Sequence, residues 1–432
     1  MTVTGQVAVD DKQDSEVRGA AITRRVLVLG HSAGLLDALA RIGPRAVAVY
    51  LLVEPSVLAA HPGEFEHPVV DEIRTGRFIF SEEAVRVGVD WHDEVGFDAV
   101  LPGKEHAVRA AAAIAGRLGL GYPGDAAVRA CTDKLTFREM VLAAGLASPR
   151  FRSVADPGEV MRFMAEKARS PIVLKPRNRN GSLGVRYIDT HEDVPAAWEE
   201  SVNTDEGVYK PTDRLLEFSY MVEEYIDGPE FSVEILVSAG EVVFTNITGK
   251  TIGASPWFPE MSHQVPARAS EPERELLLDS SRRLTAAMAM CDGLLHSEWR
   301  IRGGHAYPIE CAVRFPGDRI GRLIELAYGL NVAQAWLDCL DHAPHHVNAT
   351  ATSYAATQFL TADPGTVVAV HGLERFRADH RPVEVSVPRL GDVVPEARDS
   401  HTRAGFVVLH AASATELTAA MQAVTAIRVE TR

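Results

Sequence analysis

The sequence predicts a protein of mixed α/β and α+β class, with a doubly wound N-terminal α/β domain, a central domain and a C-terminal β-rich subdomain. Short apolar strands alternate with helices near the N-terminus, which is typical of a parallel sheet. In the centre, strands are separated by acidic and Gly-rich turns, as in antiparallel sheets. The last segment alternates strands and turns before a closing helix.

The composition indicates a globular protein. Of the 432 residues, 46% are hydrophobic and 24% charged, which is enough for a large core. The net charge of −15 argues against nucleic acid or anionic lipid as a main partner. The four cysteines form no Cys-x-x-Cys pair, which favours a reducing cytoplasm. We expect residues 1–20 to be a disordered arm, and we find no apolar run long enough to span a membrane.

The N-terminal domain is predicted over residues 21–130. Its strands are expected at 24–30, 46–54 and 97–103, and its helices at 32–43 and 106–119. The first turn, Gly30-His31-Ser32-Ala33-Gly34, matches the G-x-S-x-G nucleophile elbow of serine hydrolases. In those enzymes the elbow follows several earlier strands, whereas here it follows the first. A tight glycine turn is therefore favoured, and a hydrolase with Ser32 as nucleophile is the alternative.

Two segments of the central domain could bind a nucleotide. Lys175 ends an apolar strand, and the loop after it contains Gly181, Ser182 and Gly184. Small residues allow backbone N–H groups to approach a phosphate, and the lysine adds a positive charge. Further on, the segment 223–230 combines carboxylates with a Gly-Pro turn whose backbone could bind an adenine edge. A polar hairpin and an acidic turn are the simpler alternatives.

A third segment could bind a metal ion. Glu298 and Glu310 lie on the two arms of a predicted hairpin joined by residues 302–304. If the register places them opposite each other, a hard cation between them would offset their repulsion. Arg314 follows Glu310 on the same strand face. Solvated surface carboxylates are the simpler alternative.

The order of these segments, beginning with Lys134 in CTDKLTFRE and ending in GDRIGRLIELAYGLN, resembles the ATP-grasp superfamily. The resemblance covers roughly residues 20–430. It implies a two-lobed ATP-grasp domain over 131–345, with a flexible lid lobe at about 146–225, and a C-terminal α+β subdomain over 346–432. It also implies ATP and Mg²⁺ as cofactors, with Mn²⁺ as a substitute for Mg²⁺.

The resemblance assigns a role to each matching position. Lys134 and Lys175 correspond to the lysines that hold the α- and β-phosphates, and the glycines and serine at 181, 182 and 184 to the loop that closes over them. Glu223 corresponds to the acid that accepts from the adenine amino group, and Glu224 and Ile226 to the main-chain adenine contacts. Glu230 corresponds to the acid that binds ribose. The magnesium carboxylates correspond to Glu298 and Glu310, and the arginine that steadies the γ-phosphate and acyl phosphate to Arg314.

One position departs from the family pattern. The family usually has Asn two residues after the second carboxylate, and this chain has Ala312. We expect water, substrate or a side chain such as Asp318 to replace the missing ligand, or one metal ion to bind weakly.

Within the superfamily, the layout resembles that of bacterial L-amino-acid ligases. This implies amide-bond formation between an amino acid or similar carboxylate and an amine through an acyl phosphate. Glu260 and His263 would line the amino-acid pocket, His263 orienting the substrate or taking the proton of the amine. Glu105, at the end of a parallel strand, is a candidate for binding a substrate ammonium.

Other interpretations stay open at this point. A carboxylase-type enzyme that phosphorylates bicarbonate is one, although the chain offers no biotin-accepting or glutaminase domain. A nucleotide-binding module that has lost catalysis is another, and Ala312 is its best support. For partners we expect small-molecule substrates, with no nucleic acid and no membrane. A homodimer is an open alternative to a monomer.

Overall fold

The computed structural model describes residues 24–166, 171–179, 181–205, 210–253, 257–343, 349–400 and 402–432. The arm expected over residues 1–20 lies outside the described residues. Within the described ranges, no helix is both long and apolar enough to cross a membrane.

The N-terminal domain is built on a four-stranded parallel sheet. Its elements are β1 Arg24–Leu29, α1 Ala33–Ala40, β2 Val47–Val53, α2 Pro55–Ala60, β3 Val70–Thr75, α3 Glu83–Val95, β4 Ala99–Pro102 and α4 Val108–Leu118. The strand order is β3-β2-β1-β4. The predicted alternation is confirmed, because β1, β2 and β4 are apolar and covered on both faces. The prediction missed the edge strand β3, whose sequence VDEIRT is largely polar.

The segment after β1 is a tight glycine turn that leads into α1, which is the interpretation that the sequence favours. Ser32 is the N-cap of α1, and its side-chain oxygen accepts a hydrogen bond from the Leu35 N–H. Gly30 adopts a positive φ of 76°, which glycine reaches without strain.

A small lobe follows the helices α5 Asp125–Thr132 and α6 Lys134–Ala143. It contains β5 Phe151–Val154, α7 Pro157–Ala165, β6 Ile172–Pro176, β7 Arg186–Ile188, α8 Val194–Val202 and β8 Tyr220–Glu224. The strands form an antiparallel sheet in the order β5-β8-β6-β7, with a separate hydrophobic core under α7 and α8. This lobe occupies the range predicted for the lid, and its sheet places Lys175 and Glu223 on neighbouring strands.

An eight-stranded antiparallel sheet forms the centre of the molecule. The central elements are β9 Glu230–Ser238, β10 Glu241–Ile252, β11 Glu260–Val265, α9 Glu271–Ala287, β12 Gly293–Arg302, β13 His305–Ala312, α10 Ile320–Tyr328 and α11 Val332–Leu340. The predicted β12-β13 hairpin is confirmed, with Glu298 and Glu310 directly opposite each other. Two helices follow the hairpin, because Gly329 ends α10 in a left-handed conformation.

The C-terminal segment adds strands to this sheet. Its elements are β14 Tyr354–Leu360, β15 Gly365–His371, α12 Leu373–His380, β16 Glu384–Ser386, β17 Val393–Val394, β18 Gly405–Ala411, α13 Ala414–Ala423 and β19 Arg428–Thr431. The large sheet has the order β13-β12-β9-β10-β11-β14-β18-β16, while β17-β15-β19 form a separate small sheet. The expected α+β segment is therefore joined to the central domain by the β11-β14 pairing.

The carboxyl ends of the parallel strands approach each other closely beside the central cavity. The Gly103 N–H donates to the Leu29 carbonyl at 2.8 Å, which draws the ends of β1 and β4 together. A Cβ atom on Gly103 would lie 2.0 Å from the Gly30 carbonyl oxygen. Only glycine fits this position without a backbone shift.

We therefore expect Gly103→Ala to lower the free energy of unfolding by about 1–3 kcal/mol, because the added methyl group collides with backbone. Gly34→Ala is the matched control: no atom lies within 4 Å of a Cβ there, and Gly34 is inside α1. That change should raise stability by about 0.5–1 kcal/mol. Urea unfolding measures both, and equal stabilities of the two variants would contradict the close approach.

Candidate active site

Most of the predicted site residues line one cavity of about 400 Å³. It lies between the small lobe, the β12-β13 hairpin and the ends of the N-terminal strands. The predicted residues on its wall are Lys134, Lys175, Gly181, Ser182, Glu223, Glu224, Ile226, Glu230, Glu260, Glu298, Glu310 and Arg314. Gly184, His263 and Glu105 lie outside this wall, and the last two contact residues on it.

A buried three-residue charge network supports the lobe side of the cavity. Lys175 Nζ lies 2.5 Å from a Glu223 oxygen, and Arg138 donates to both oxygens of Glu223 at 2.8 and 3.2 Å. Arg138 also donates to the Pro308 and Ile309 carbonyls on β13 at 2.6 and 2.8 Å. The network therefore connects the small lobe to the hairpin that carries Glu310. Sequence reasoning missed Arg138, although it stands one helical turn after Lys134.

Burial and neighbouring charges shift both titrating members of this network. Burial lowers the pKa of Lys175 to about 8; Arg138 acts in the same direction and Glu223 against it. Burial opposes the charged form of Glu223, but Arg138 and Lys175 lower its pKa to about 2. A phosphate beside Lys175 would favour its ammonium form. Both oxygens of Glu223 already accept hydrogen bonds, so an adenine amino group would share an occupied acceptor.

The segment expected to bind adenine and ribose is held by two arginines of β12. Arg300 donates to the Ile226 carbonyl at 2.8 Å and contacts Glu230 through two nitrogens at 2.8 and 2.7 Å. Arg302 contacts Glu224 at 3.1 Å. These contacts fix the acidic segment against the large sheet, with Glu224, Ile226 and Glu230 all on the cavity wall.

The paired carboxylates Glu298 and Glu310 each have a lysine partner. Lys134 Nζ lies 3.0 Å from Glu310, and Lys250 Nζ lies 2.6 Å from Glu298. Lys250 also forms an ion pair with Glu260, and its side chain is buried. Burial alone would lower the pKa of Lys250, but Glu260 and Glu298 raise it well above its usual range. Sequence reasoning missed Lys250, which lies near the end of β10 without a local motif.

The oxygen donors of this pair fit Mg²⁺. Glu298 and Glu310 are opposed on adjacent strands and both face the cavity, so carboxylate oxygens of two residues converge there. Like charges in this position repel each other unless cations lie nearby. Ala312, on the same wall, supplies no ligand atom. Asp318 is unsuited to replace one, because its two oxygens already accept hydrogen bonds from Arg403 at 2.5 and 3.0 Å.

Glu260, His263 and Asp318 form a second cluster, and Lys250 connects Glu260 to Glu298. His263 Nε2 lies 3.1 Å from Asp318 and 3.6 Å from Glu260. The His263 side chain is completely buried. Burial raises the pKa of Glu260, against the effect of Lys250 and His263. Because His263 lies behind the two carboxylates, its position suits orienting them.

Arg314 forms an ion pair with Glu105 between the cavity and the N-terminal domain. Its Nε lies 2.7 Å from a Glu105 oxygen, and Glu105 is buried. Burial would lower the pKa of Arg314, but Glu105 raises it, so the guanidinium stays charged. The sequence expectation placed both residues near the substrate, and the structure brings them into direct contact.

Comparison with known proteins gives two family matches. Residues 168–321 match the ATP-grasp domain, and residues 358–432 match L-amino acid ligase C-terminal domain 2. The chain therefore contains an ATP-grasp domain, and the ATP-grasp fold predicted from the sequence is confirmed.

Relatives and solved structures agree with this assignment. Alanine–anticapsin ligase of Bacillus subtilis is 26% identical over 295 residues, which are 64% of this chain and 61% of that relative. An L-amino acid ligase from Bacillus licheniformis has a TM-score of 0.77 at 20% identity, covering 96% of this chain and 100% of that one. A biotin carboxylase domain of Hydrogenobacter thermophilus, solved with MgADP and bicarbonate, has a TM-score of 0.65 at 16% identity, covering 95% and 91%. The expected class, an ATP-dependent ligase of this superfamily, is supported by the first two.

The pKa of Lys175 leads to a test of its contact with ATP. We expect Lys175→Met to weaken ATP binding about tenfold or more at pH 7, because a charged hydrogen bond is lost. In the wild-type protein, affinity should fall as pH rises from 7 to 9, since the ammonium loses its proton near pH 8. Calorimetry across this range measures both effects.

Lys175→Arg is the control, because arginine stays charged throughout this range. Lys104, whose pKa burial also lowers to about 8, is present in every variant. The difference between wild type and Lys175→Met therefore isolates Lys175. Identical pH profiles for these two proteins would place Lys175 away from the phosphates.

Proposed function

We propose that the protein joins the carboxylate of an amino acid to an amine, using ATP to form an acyl phosphate and releasing ADP and phosphate. One observation carries this proposal: a single cavity holds Lys134, Lys175, Glu298, Glu310 and Arg314, with the Glu260–His263–Asp318 cluster at one end. Phosphate-binding groups and an amino-acid-binding cluster thus share one space. The comparison with amino-acid ligases supports the same reaction.

The reaction requires a carboxylate to become a good acyl donor. Its oxygen attacks the γ-phosphorus of ATP, the bond to the ADP oxygen breaks, and a mixed anhydride forms. The amine nitrogen then attacks the acyl carbon, phosphate leaves with the bonding electrons, and the nitrogen loses a proton. Catalysis of this kind depends on positioning and on offsetting charge rather than on an enzyme nucleophile.

The residues of the cavity have complementary roles in this scheme. Lys134 and Lys175 bind ATP phosphates, and Arg314 steadies the transferring phosphoryl group. Glu298 and Glu310 would hold Mg²⁺, which supplies positive charge to the phosphates when bound. Glu260 accepts the ammonium of the carboxylate substrate, and His263 orients Glu260 and Asp318. Magnesium binding, the cytoplasmic location and the homodimer remain predictions.

The alternatives predict different products. A carboxylase-type enzyme would release phosphate from ATP in response to bicarbonate without an amino acid. A module without catalysis would bind ATP and release none. The hydrolase alternative loses support because the Ser32 side chain caps α1. Phosphate release with ATP, Mg²⁺ and pairwise mixtures of amino acids, with mass spectrometry of products, distinguishes these cases.

We predict that Glu298→Ala and Glu310→Ala each reduce phosphate release by at least about a hundredfold while the fold persists. Each change removes a carboxylate that would hold the metal ion near the phosphates. Glu374→Ala is the control, because Glu374 is exposed at the surface of α12. Circular dichroism checks the fold. Near-normal phosphate release by either cavity variant would contradict the metal assignment.

A further prediction concerns the missing amide. If Ala312 leaves one magnesium site short of a ligand, Ala312→Asn should lower the Mg²⁺ concentration needed for half-maximal activity. The physical reason is that Mg²⁺ requires near-octahedral oxygen coordination, and the new amide oxygen would complete it. A Mg²⁺ titration of both proteins measures the effect. An equal or higher requirement in the variant would mean that a substrate oxygen or water already fills the position.

A further inference from the structure

A second cavity of about 110 Å³ lies at the carboxyl ends of the N-terminal parallel strands. Its wall includes His31 after β1, Glu54 after β2, Phe78 after β3, and Lys104 and Glu105 after β4. Crevices at this edge of an open α/β sheet are where ligands bind in such folds. The roles given above to the ATP cavity do not account for this space.

Most of the wall of this cavity is apolar. Val57, Phe65, Phe78, Ile79, Leu183 and Leu216 contribute to it. His31 and Phe65 stand edge to face with their ring centres 5.5 Å apart. Such a wall favours an apolar group, and its rings favour a flat aromatic one. Leu183 belongs to the expected phosphate-binding loop, so an occupant would also contact that loop.

Among the described residues, one buried carboxylate oxygen of the wall residue Glu54 has no donor. Glu54 is 2% exposed, and its Oε1 accepts from the N–H groups of Phe78 and Ile79 at 2.8 and 2.7 Å and from Arg214 at 2.8 Å. Its Oε2 has no hydrogen-bond partner in the part of the chain that the structure describes. A buried acceptor without a donor is unfavourable, so a ligand that brings one N–H or O–H would gain a hydrogen bond to a charged group.

The opposite side of this cavity adjoins the reaction centre. Lys104 lines both cavities, and Glu105 lines the second one while contacting Arg314 at 2.7 Å. An amino acid placed here could direct its carboxylate to Lys104 and its amino group to Glu105. Its nitrogen would then stand beside Arg314, where the acyl phosphate is expected. The Glu260 cluster is not on the wall of this second cavity and remains for the carboxylate substrate.

We propose that this second cavity binds the side chain of the amine substrate, and that this substrate is an amino acid with an aromatic side chain bearing one hydrogen-bond donor, a phenol or an indole. This inference rests on the proposed function. A single donor matches the single free oxygen of Glu54. An ammonium group would bring three donors to a mostly apolar wall, on which one oxygen of Glu54 is without a donor among the described residues.

A binding experiment tests the inference separately from ligase activity. Calorimetry with the full chain and a non-hydrolysable ATP analogue compares tyrosine, tryptophan, phenylalanine, lysine and glycine. Tyrosine or tryptophan should bind about tenfold more tightly than phenylalanine, because only they reach Glu54 with a donor. The proposed substrate class would be wrong if phenylalanine bound as tightly as tyrosine and tryptophan, or if lysine or glycine bound most tightly. Either result would count whether or not ligation occurs.

Two neighbouring leucines provide matched variants. Leu216 lines the cavity, whereas Leu215 is 95% exposed. Leu216→Trp should weaken binding of the preferred aromatic amino acid about tenfold or more by filling the space, and Leu215→Trp should leave binding unchanged. Thermal unfolding checks that both variants fold. Equal binding by the two variants would place the aromatic side chain elsewhere.

Glu54→Gln tests the donor directly, because it keeps an acceptor for Phe78 and Ile79 and removes the charge. The preference for tryptophan over phenylalanine should fall to near one, because the amide NH2 of glutamine takes the place of Oε2 and cannot accept from an indole N–H. The ligation products then show which amino acid supplies the amine. Tandem mass spectrometry should place the aromatic residue at the C-terminal end of the dipeptide. An aromatic residue at the N-terminal end would assign the cavity to the carboxylate substrate and overturn the inference. If no amino acid pair releases phosphate, the proposed function fails while the binding result still stands.

Discussion

The arrangement of the site depends on holding many charged side chains in one cavity without leaving any of them uncompensated. Arg138 is the clearest case, because its guanidinium is completely buried and contacts Glu223 and two backbone carbonyls of β13. A buried charge is tolerated only when it is paired and hydrogen-bonded. Since Glu223 belongs to the small lobe, the same contacts fix that lobe relative to the β12-β13 hairpin. Lys175 completes the network and lines the cavity.

Lys250 performs the corresponding task on the other side of the cavity. It contacts Glu230, Glu260 and Glu298, three carboxylates from three different strands. Without a central cation, these groups would repel one another at close range. Lys250 therefore makes possible the dense acidic lining on this side of the cavity.

The sequence predicted those parts of the site that depend on local order. The strand pattern placed Glu298 and Glu310 on a hairpin. The register set by the turn at residues 303–304 would pair Glu298 with Ile309, but a β-bulge between Glu298 and Trp299 places Glu310 opposite Glu298 instead. Lys175 and Glu223 were predicted because each stands at a strand end within a recognisable segment. Arg138, Lys250 and Arg403 were missed, because their partners lie 10 to 171 positions away in the chain. Local patterns carry no signal for such contacts. The polar edge strand β3 was missed because edge strands need no apolar alternation.

The C-terminal segment belongs to the site as well as to the fold. Asp318 and Arg319 both adopt left-handed conformations, with φ of 52° and 66°, which costs of order 1–3 kcal/mol for each residue. Arg403 holds Asp318 through two hydrogen bonds, and Glu384 lies 3.1 Å from Arg319. Both partners come from the C-terminal segment, so its strands stabilise a turn that would otherwise relax. This turn positions Asp318 beside His263 and Glu260. The geometry of the Glu260–His263–Asp318 cluster therefore depends on contacts from the C-terminal segment.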